Sequence, residues 1–267
     1  MRKVTKMIIS ANETNDFLKS LSDISANDPF ACRIISLYKS YIPELVFVDY
    51  WMIIDELSGK CTGAIARSGS AFILFLTQQK DIDEVSSFMR VAGASSVICN
   101  ADYKLDLLNA KSATGSILMK NTYTQDINDE TGVKVIEPDI KSAYNLIVKC
   151  TDENFTPPNF DDFYVDVNHK LRHKATRLCG INVDNKLVSI AMTVAESNNG
   201  AVLGAVACDP EYRKHGYGST VVKYLSNQLL DENKIVYLHR AKNSNVSFYE
   251  NLGFVEIGNW CEYYFER

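Results

Sequence analysis

No apolar stretch in the 267-residue chain reaches eighteen residues, so no membrane-spanning helix is expected and no membrane partner is read. A surplus of positive charge is also missing. Lys and Arg total 28 against 33 Asp and Glu, a net charge of −5. A protein that grips a phosphate backbone needs a basic footprint, so no nucleic-acid partner is expected; a local basic pocket for a small anion stays open. CxxC pairs are absent. The seven cysteines, Cys32, Cys61, Cys99, Cys150, Cys179, Cys208 and Cys261, are scattered, odd in number, and have no histidine at ligand spacing. This pattern argues against a disulfide framework and a zinc site; it reads as buried free thiols in a reducing compartment, with no metal. The N-terminal MRKVTKMIISANETND lacks the apolar core of a secretory leader. The expected address is the cytoplasm. With 46% apolar and 23% charged residues, disordered and collagen-like classes are excluded. Nothing fixes the oligomeric state.

What is present is enough chain for two domains of about 130 residues each. The polar stretch 124–132 (TQDINDETG) has no apolar periodicity and reads as a linker, giving domains at 1–126 and 133–267. In the second domain, a strand at 133–136 precedes helices at 138–150 and 156–172. Strands follow at 175–183, 186–196 and 201–208, with Asp184-Asn185 and Asn198-Asn199-Gly200 as the turns between them. Next come a loop at 209–218, a helix at 219–233, a strand at 234–242 and a short helix at 245–252. Two closing strands are read around Gly258-Asn259. The first domain repeats the rhythm, with a short helix expected at 103–109. Two copies of one fold, or an unrelated α/β domain with generic alternation, both account for it.

The most informative segment is Val206-Ala-Cys-Asp-Pro-Glu-Tyr-Arg-Lys-His-Gly-Tyr-Gly-Ser219. It reads strand, turn, glycine loop, helix. A helix start leaves N–H groups unpaired and carries partial positive charge, and glycine lets the backbone approach a phosphate closely. Arg213 and Lys214 add charge. A Rossmann fingerprint is disfavoured by the preceding antiparallel strands and the missing third glycine, and a P-loop by the absence of Lys-Ser/Thr after the last glycine. A second segment, Asn243-Ser-Asn-Val-Ser-Phe-Tyr-Glu-Asn-Leu-Gly-Phe254, reads as a short amphipathic helix bearing Tyr249 and stopped by Gly253.

Arg213-x-x-Gly216-x-Gly218 before a helix, with Phe248-Tyr249-Glu-Asn-Leu-Gly253-Phe254 after the next strand, resembles the GNAT superfamily of acyl-CoA-dependent N-acyltransferases. The resemblance covers about 133–267. It implies an α/β (α+β) fold with a mixed, mostly antiparallel sheet flanked by helices, built as two tandem GNAT-like domains if the first half is a degenerate copy. It implies acetyl-CoA as co-substrate and a small-molecule or peptide amine as acceptor. Val206, Ala207 and Cys208 would hydrogen-bond the pantetheine. Lys214, His215, Gly216, Tyr217, Gly218 and Ser219, with Arg213, would hold the pyrophosphate. Tyr249 would protonate the departing thiolate. Asn243 stands near the position of a cofactor-contacting Asn, although the matching position is Lys242. Where some relatives carry a glutamate base, this chain has Val202; Glu196, Asp209 or a water relay are the substitutes. Cys208 lacks a visible base and reads as packing. His215 reads as a solvated loop residue.

The first half has Gln78-Gln-Lys-Asp-Ile-Asp-Glu84 where the loop should be, with no glycine, so it is expected not to bind CoA. The leading function is an acetyl-CoA-dependent N-acetyltransferase. A non-catalytic CoA-binding sensor or interaction protein with the same fold is the alternative.

Overall fold

Asp184 and Asn185 have φ of 49° and 61°, the left-handed pair that a tight hairpin requires. Their turn joins β8 (Leu178–Val183) to β9 (Lys186–Glu196), and β10 (Gly200–Cys208) folds back on β9 in turn. The structure is a computed structural model that describes residues 7–14, 16–25, 27–79, 82–107, 109–122, 132–151 and 156–265. The linker read at 124–132 falls almost wholly outside them.

The remaining strands are β1 (Ile8–Ser10), β2 (Val48–Ile54), β3 (Cys61–Ser68), β4 (Ala71–Leu76), β5 (Ser96–Asn100), β6 (Lys111–Lys120), β7 (Val135–Ile136), β11 (Ile235–Ala241) and β12 (Val255–Tyr264). The helices are α1 (Phe17–Ile24), α2 (Pro29–Ser40), α3 (Ile82–Val91), α4 (Ile140–Lys149), α5 (Phe160–Arg172), α6 (Tyr217–Asp231) and α7 (Val246–Asn251). Helix starts follow the sequence. Asp28 accepts from the Phe30 and Ala31 amides ahead of Pro29, Asp139 from Ser142, and Asn159 from Asp162.

The chain divides into two compact units, 1–116 with 258–267, and 117–257. The divisions fall inside β6 and β12, not in the polar stretch where the sequence suggested one. The first unit has strand order β1-β2-β3-β4-β5-β12, with every pairing antiparallel except β4 with β5. The second has order β7-β8-β9-β10-β11-β6, and β10 with β11 is its parallel pair. Two helices follow the first strand in each, and one helix makes the parallel crossover. The same mixed, mostly antiparallel fold therefore occurs twice, each copy closed by a strand distant in sequence.

Two readings are corrected. The closing segment is one strand, β12, running through Gly258 and Asn259 without a turn, because residues 260–264 pair antiparallel with β5. Of the helix read at 103–109, residues 103–107 are irregular instead of helical and residue 108 lies outside the described residues: the Leu105 amide donates to the Tyr103 carbonyl at 3.0 Å, and Tyr103, Leu105 and Leu107 are buried in alternation while Lys104 and Asp106 are exposed.

In the 117–257 unit the sheet is covered on both faces. Val221, Val222, Leu225 and Leu229 of α6 pack with Ile181, Val188 and Ala191. Ala143 and Ile147 of α4 and Val167 of α5 pack with Leu178, Ile190 and Met192. Each of these valine, leucine, isoleucine and methionine side chains contributes about 1.5–3 kcal/mol on burial. All seven cysteines are free thiols, four buried and three half-buried.

Candidate functional site

β10 begins as a regular partner of β11, with Gly200 opposite Ile235 through Leu203 opposite Leu238. There the parallel register ends, while β10 continues to Cys208 and β11 to Ala241. The cause is visible on the other edge. Register against β9 slips between Val202 and Leu203, and again between Gly204 and Ala207, with Ala205 in the left-handed region at φ 47°. Bulges bend and twist a strand away from its neighbour. The parting leaves the backbone edge around Val206 without a β11 partner.

Of the three strand residues singled out from sequence, this exposes mainly Val206. Ala207 faces β9: it lies opposite Ile190, and its carbonyl accepts from the Ser189 hydroxyl at 3.2 Å. The Cys208 carbonyl accepts from Arg213 Nε at 3.2 Å and from the Cys150 thiol at 3.3 Å.

Asp209 is a fixed point beneath the loop. Its side chain is fully buried, and Lys149 and Lys186 hold it at 2.8 and 2.9 Å. Its amide donates to the Val188 carbonyl, and its carboxylate accepts from the Glu211 amide that opens the 3₁₀ turn Pro210–Tyr212. The hydrogen bond from Lys149, reinforced by Lys186, draws its pKa down to about 2 against the desolvation that opposes it. An anion so firmly paired is a latch between α4, β9 and the turn after β10.

Beyond the turn, Lys214 at φ 65° and Gly216 at φ 83° both take the left-handed region. Gly216 is the N-cap of α6 and no side chain caps that helix. The first intrahelical bond is Thr220 N–H to the Gly216 carbonyl at 2.9 Å, which leaves the amides of Tyr217, Gly218 and Ser219 pointing out of the helix start. His215 is exposed; its Nδ1 lies 2.9 Å from the Arg213 carbonyl, and its ring stacks on Tyr217 at 5.9 Å. A Cβ on Gly218 would lie 3.6 Å from the Phe248 ring and 4.0 Å from the Cys208 Cβ. The end of β10, the start of α6 and the helix carrying Tyr249 therefore meet at one point.

Tyr249 is buried in α7, packed edge-on against Phe248 and Phe254. Burial pushes its phenol up to about 12, with Arg240 opposing. The shift favours the neutral phenol over the phenolate. Asn243 is exposed at φ 58°, in the bend before α7. Glu196 is buried among Thr193 at 2.8 Å, Lys234 at 2.9 Å and Arg177 at 3.2 Å; like Asp209 it is spent in ion pairs. Val202 is buried and supplies no base. Burial, and then Cys150, pushes the Cys208 thiol up, which suits a packing role.

The 1–116/258–267 unit has the equivalent parallel pair, β4 with β5, in register from Ala71 opposite Ser96 to Ile73 opposite Ile98. β4 runs on to Leu76, and there the Tyr103 hydroxyl accepts from the Leu76 amide and donates to the Leu76 carbonyl. A buried tyrosine thus satisfies the strand edge beyond the parallel pairing, where the matching stretch of β10 has no β11 partner. Sequence reasoning missed this, and missed the bulge and the Asp209 latch; the alternation of Tyr103-Lys-Leu-Asp-Leu was the available signal for the first.

No helix among the described residues is long and apolar enough to cross a membrane. Residues 140–254 match the model of the family described as Acetyltransferase (GNAT) family. No curated protein matches the chain in sequence. Among solved structures, a Drosophila protein aligns at TM-score 0.66 with 8% identity, over 98% of this chain and 99% of that one. A tandem GNAT protein from the clavulanic acid biosynthesis pathway aligns at 0.57 with 13% identity, over 96% and 97%. A GCN5-related N-acetyltransferase-like protein from Streptococcus suis aligns at 0.53 with 18% identity, over 93% and 98%. At these identities the likeness is one of fold, and it extends over both units.

Proposed function

We propose, on the premise that residues 140–254 are a GNAT-family acyltransferase domain, that this chain is an N-acetyltransferase moving an acetyl group from acetyl-CoA to a primary amine. One observation carries the reading. The start of α6 behind Gly216, with no side-chain cap, stands beside the stretch of β10 that has parted from β11, so amides for a pyrophosphate and amides for a pantetheine arm adjoin. The residues fit the group. The amides of Tyr217, Gly218 and Ser219 hold the diphosphate, Lys214 and Arg213 add charge at the rim, and the backbone at Val206 takes the pantetheine. Acetyl-CoA supplies an activated acyl carbon. Tyr249, kept neutral by burial, donates a proton toward the sulfur as it departs. The acceptor nitrogen loses its proton to water, because Glu196 and Asp209 are tied up in ion pairs.

That neither Glu196 nor Asp209 is a spare carboxylate is also what favours a second reading, a CoA-binding sensor without turnover. Calorimetry with acetyl-CoA and release of the CoA thiol with an amine panel separate the two. The enzyme reading expects binding and release, with Tyr249→Phe lowering kcat at least tenfold while acetyl-CoA affinity is kept. Binding without release for any amine selects the sensor, and no binding ends both.

A further inference from the structure

The sheet face beneath α5 in the 117–257 unit is hollow. A cavity of about 210 Å³ lies among Ile147, Phe163, Val167, Met192, Val194 and Ala205. Three features bear on its occupant. Its position comes first: Ala205 sits in the β10 bulge, next to Val206, so one end of the cavity adjoins the strand edge assigned to the pantetheine arm.

Wall chemistry comes second. Two threonines line the cavity, and their hydroxyls are already engaged. Thr176 donates to the Thr193 carbonyl; Thr193 donates to Glu196 and accepts from the Arg177 amide, both at 2.8 Å. The two charged lining residues, Asp166 and Lys170, pair with each other at 2.8 Å one helical turn apart. The body of any occupant therefore meets hydrocarbon. Access and size come third. Pro158 is exposed and the Asp166 side chain is 44% exposed, so solvent reaches the cavity independently of the β10 edge. A dry apolar cavity of about 150 Å³ accepts benzene, whereas drug-sized ligands need about 300 Å³ or more.

We propose that this cavity holds the body of the acceptor, and that the acceptor is a small monoamine carrying an arylalkyl or branched aliphatic group. The inference rests on the acetyltransferase reading above. The amine nitrogen attacks the thioester carbon at the Ala205–Val206 end. The N–C bond forms, the C–S bond breaks, the nitrogen loses one proton and the leaving sulfur gains one. The products are an N-substituted acetamide and the free CoA thiol.

The test uses the full chain with acetyl-CoA and three probes, 2-phenylethylamine, spermidine and glucosamine, read by thiol release. A kcat/KM for 2-phenylethylamine at least tenfold above the other two is expected. Met192→Phe fills the cavity, and raises the KM for 2-phenylethylamine at least tenfold with acetyl-CoA affinity unchanged. Should that variant fail to fold, Phe163→Ala, at a half-buried position, opens the wall and narrows the preference between the three amines. Preference for spermidine or glucosamine overturns the inference. So does a folded Met192→Phe with unaltered KM, or octanoyl-CoA outcompeting acetyl-CoA in the native chain but not in Met192→Phe, which would assign the cavity to an acyl tail. Turnover of a polar amine leaves the acetyltransferase reading standing and removes only this one; absence of acetyl-CoA binding removes both.

Discussion

Gly216 and Gly218 look alike in sequence and do different work. Gly216 sits at φ 83°, where a Cβ costs about 1–2 kcal/mol. Gly216→Ala is expected to lower both the melting midpoint and acetyl-CoA affinity. Gly218 has no such backbone demand, and its added Cβ would make ordinary contact with Phe248 at 3.6 Å. Gly218→Ala should therefore leave stability within about 0.5 kcal/mol. It should weaken acetyl-CoA about tenfold, about 1.4 kcal/mol, by putting a methyl group at the diphosphate cradle. A thermal melt beside calorimetry distinguishes the two glycines; unchanged acetyl-CoA affinity in Gly218→Ala would take the cradle away from this loop. Asp209 predicts a pH dependence. Its folded pKa of about 2 lies below the ordinary 3.8, so the stability it contributes is fully present above about pH 4 and lost as pH falls toward 2. Asp209→Asn should be less stable than the native chain at pH 6, with the gap closing between pH 4 and 2 in urea melts. The glycines were legible because their spacing is local. The latch was not: Lys149 and Lys186 reach Asp209 from elements 60 and 23 residues away in sequence, and nothing local marks either as its partner.

At the scale of elements, the hairpin from Leu178 to Glu196 was readable because Asp184-Asn185 names its own turn type, and the helix read at 138–150 begins beside its cap Asp139. Two elements misled. Gly258-Asn259 carries the composition of a turn yet lies inside β12, where pairing with β5 overrides local preference. The segment 103–109 reads as a helix in sequence, yet burial alternates from Tyr103 to Leu107 in an irregular stretch. Here Tyr103 closes the end of β4, and the consequence can be measured. Tyr103→Phe leaves the buried Leu76 amide and carbonyl without that hydroxyl. A loss of about 1–3 kcal/mol is expected from the unpaired groups, read by urea unfolding. The stoichiometry of acetyl-CoA binding should stay at one per chain, because the loop after β4 still lacks glycine. A second equivalent in the variant would mean that the tyrosine alone had kept this unit from binding.

For the whole molecule, the repeat of strand, two helices, three strands and a crossover was visible in the order of apolar segments. The exchange of closing strands was not. A sequence pattern shows that residues 255–264 form a strand but does not say which sheet takes it, because partner choice depends on edges that exist only after folding. Placing the boundary at 124–132 assumed that neighbours in sequence stay neighbours in space. The units are instead 1–116 with 258–267, and 117–257. This division makes a prediction that a boundary at 126 does not. Removing residues 258–267 should damage the unit that begins the chain and spare the one that ends nearest the cut. Cys261 is buried, pairs with Cys99 in the β-ladder, and is followed by Tyr263 and Phe265 on the core of the first unit. Loss of two such aromatics costs on the order of 3–5 kcal/mol apiece when they are fully buried, and less where they are half-exposed as here. The deletion also removes Trp260, leaving Trp51, which stacks on Phe72 in that same core, as the one tryptophan. Trp51 fluorescence should therefore report an unfolding midpoint shifted to clearly lower urea, while calorimetry still finds acetyl-CoA bound to 117–257. An unshifted Trp51 transition would mean that the first unit does not depend on the strand it receives from the far end of the chain, and that the domains divide where the sequence first suggested.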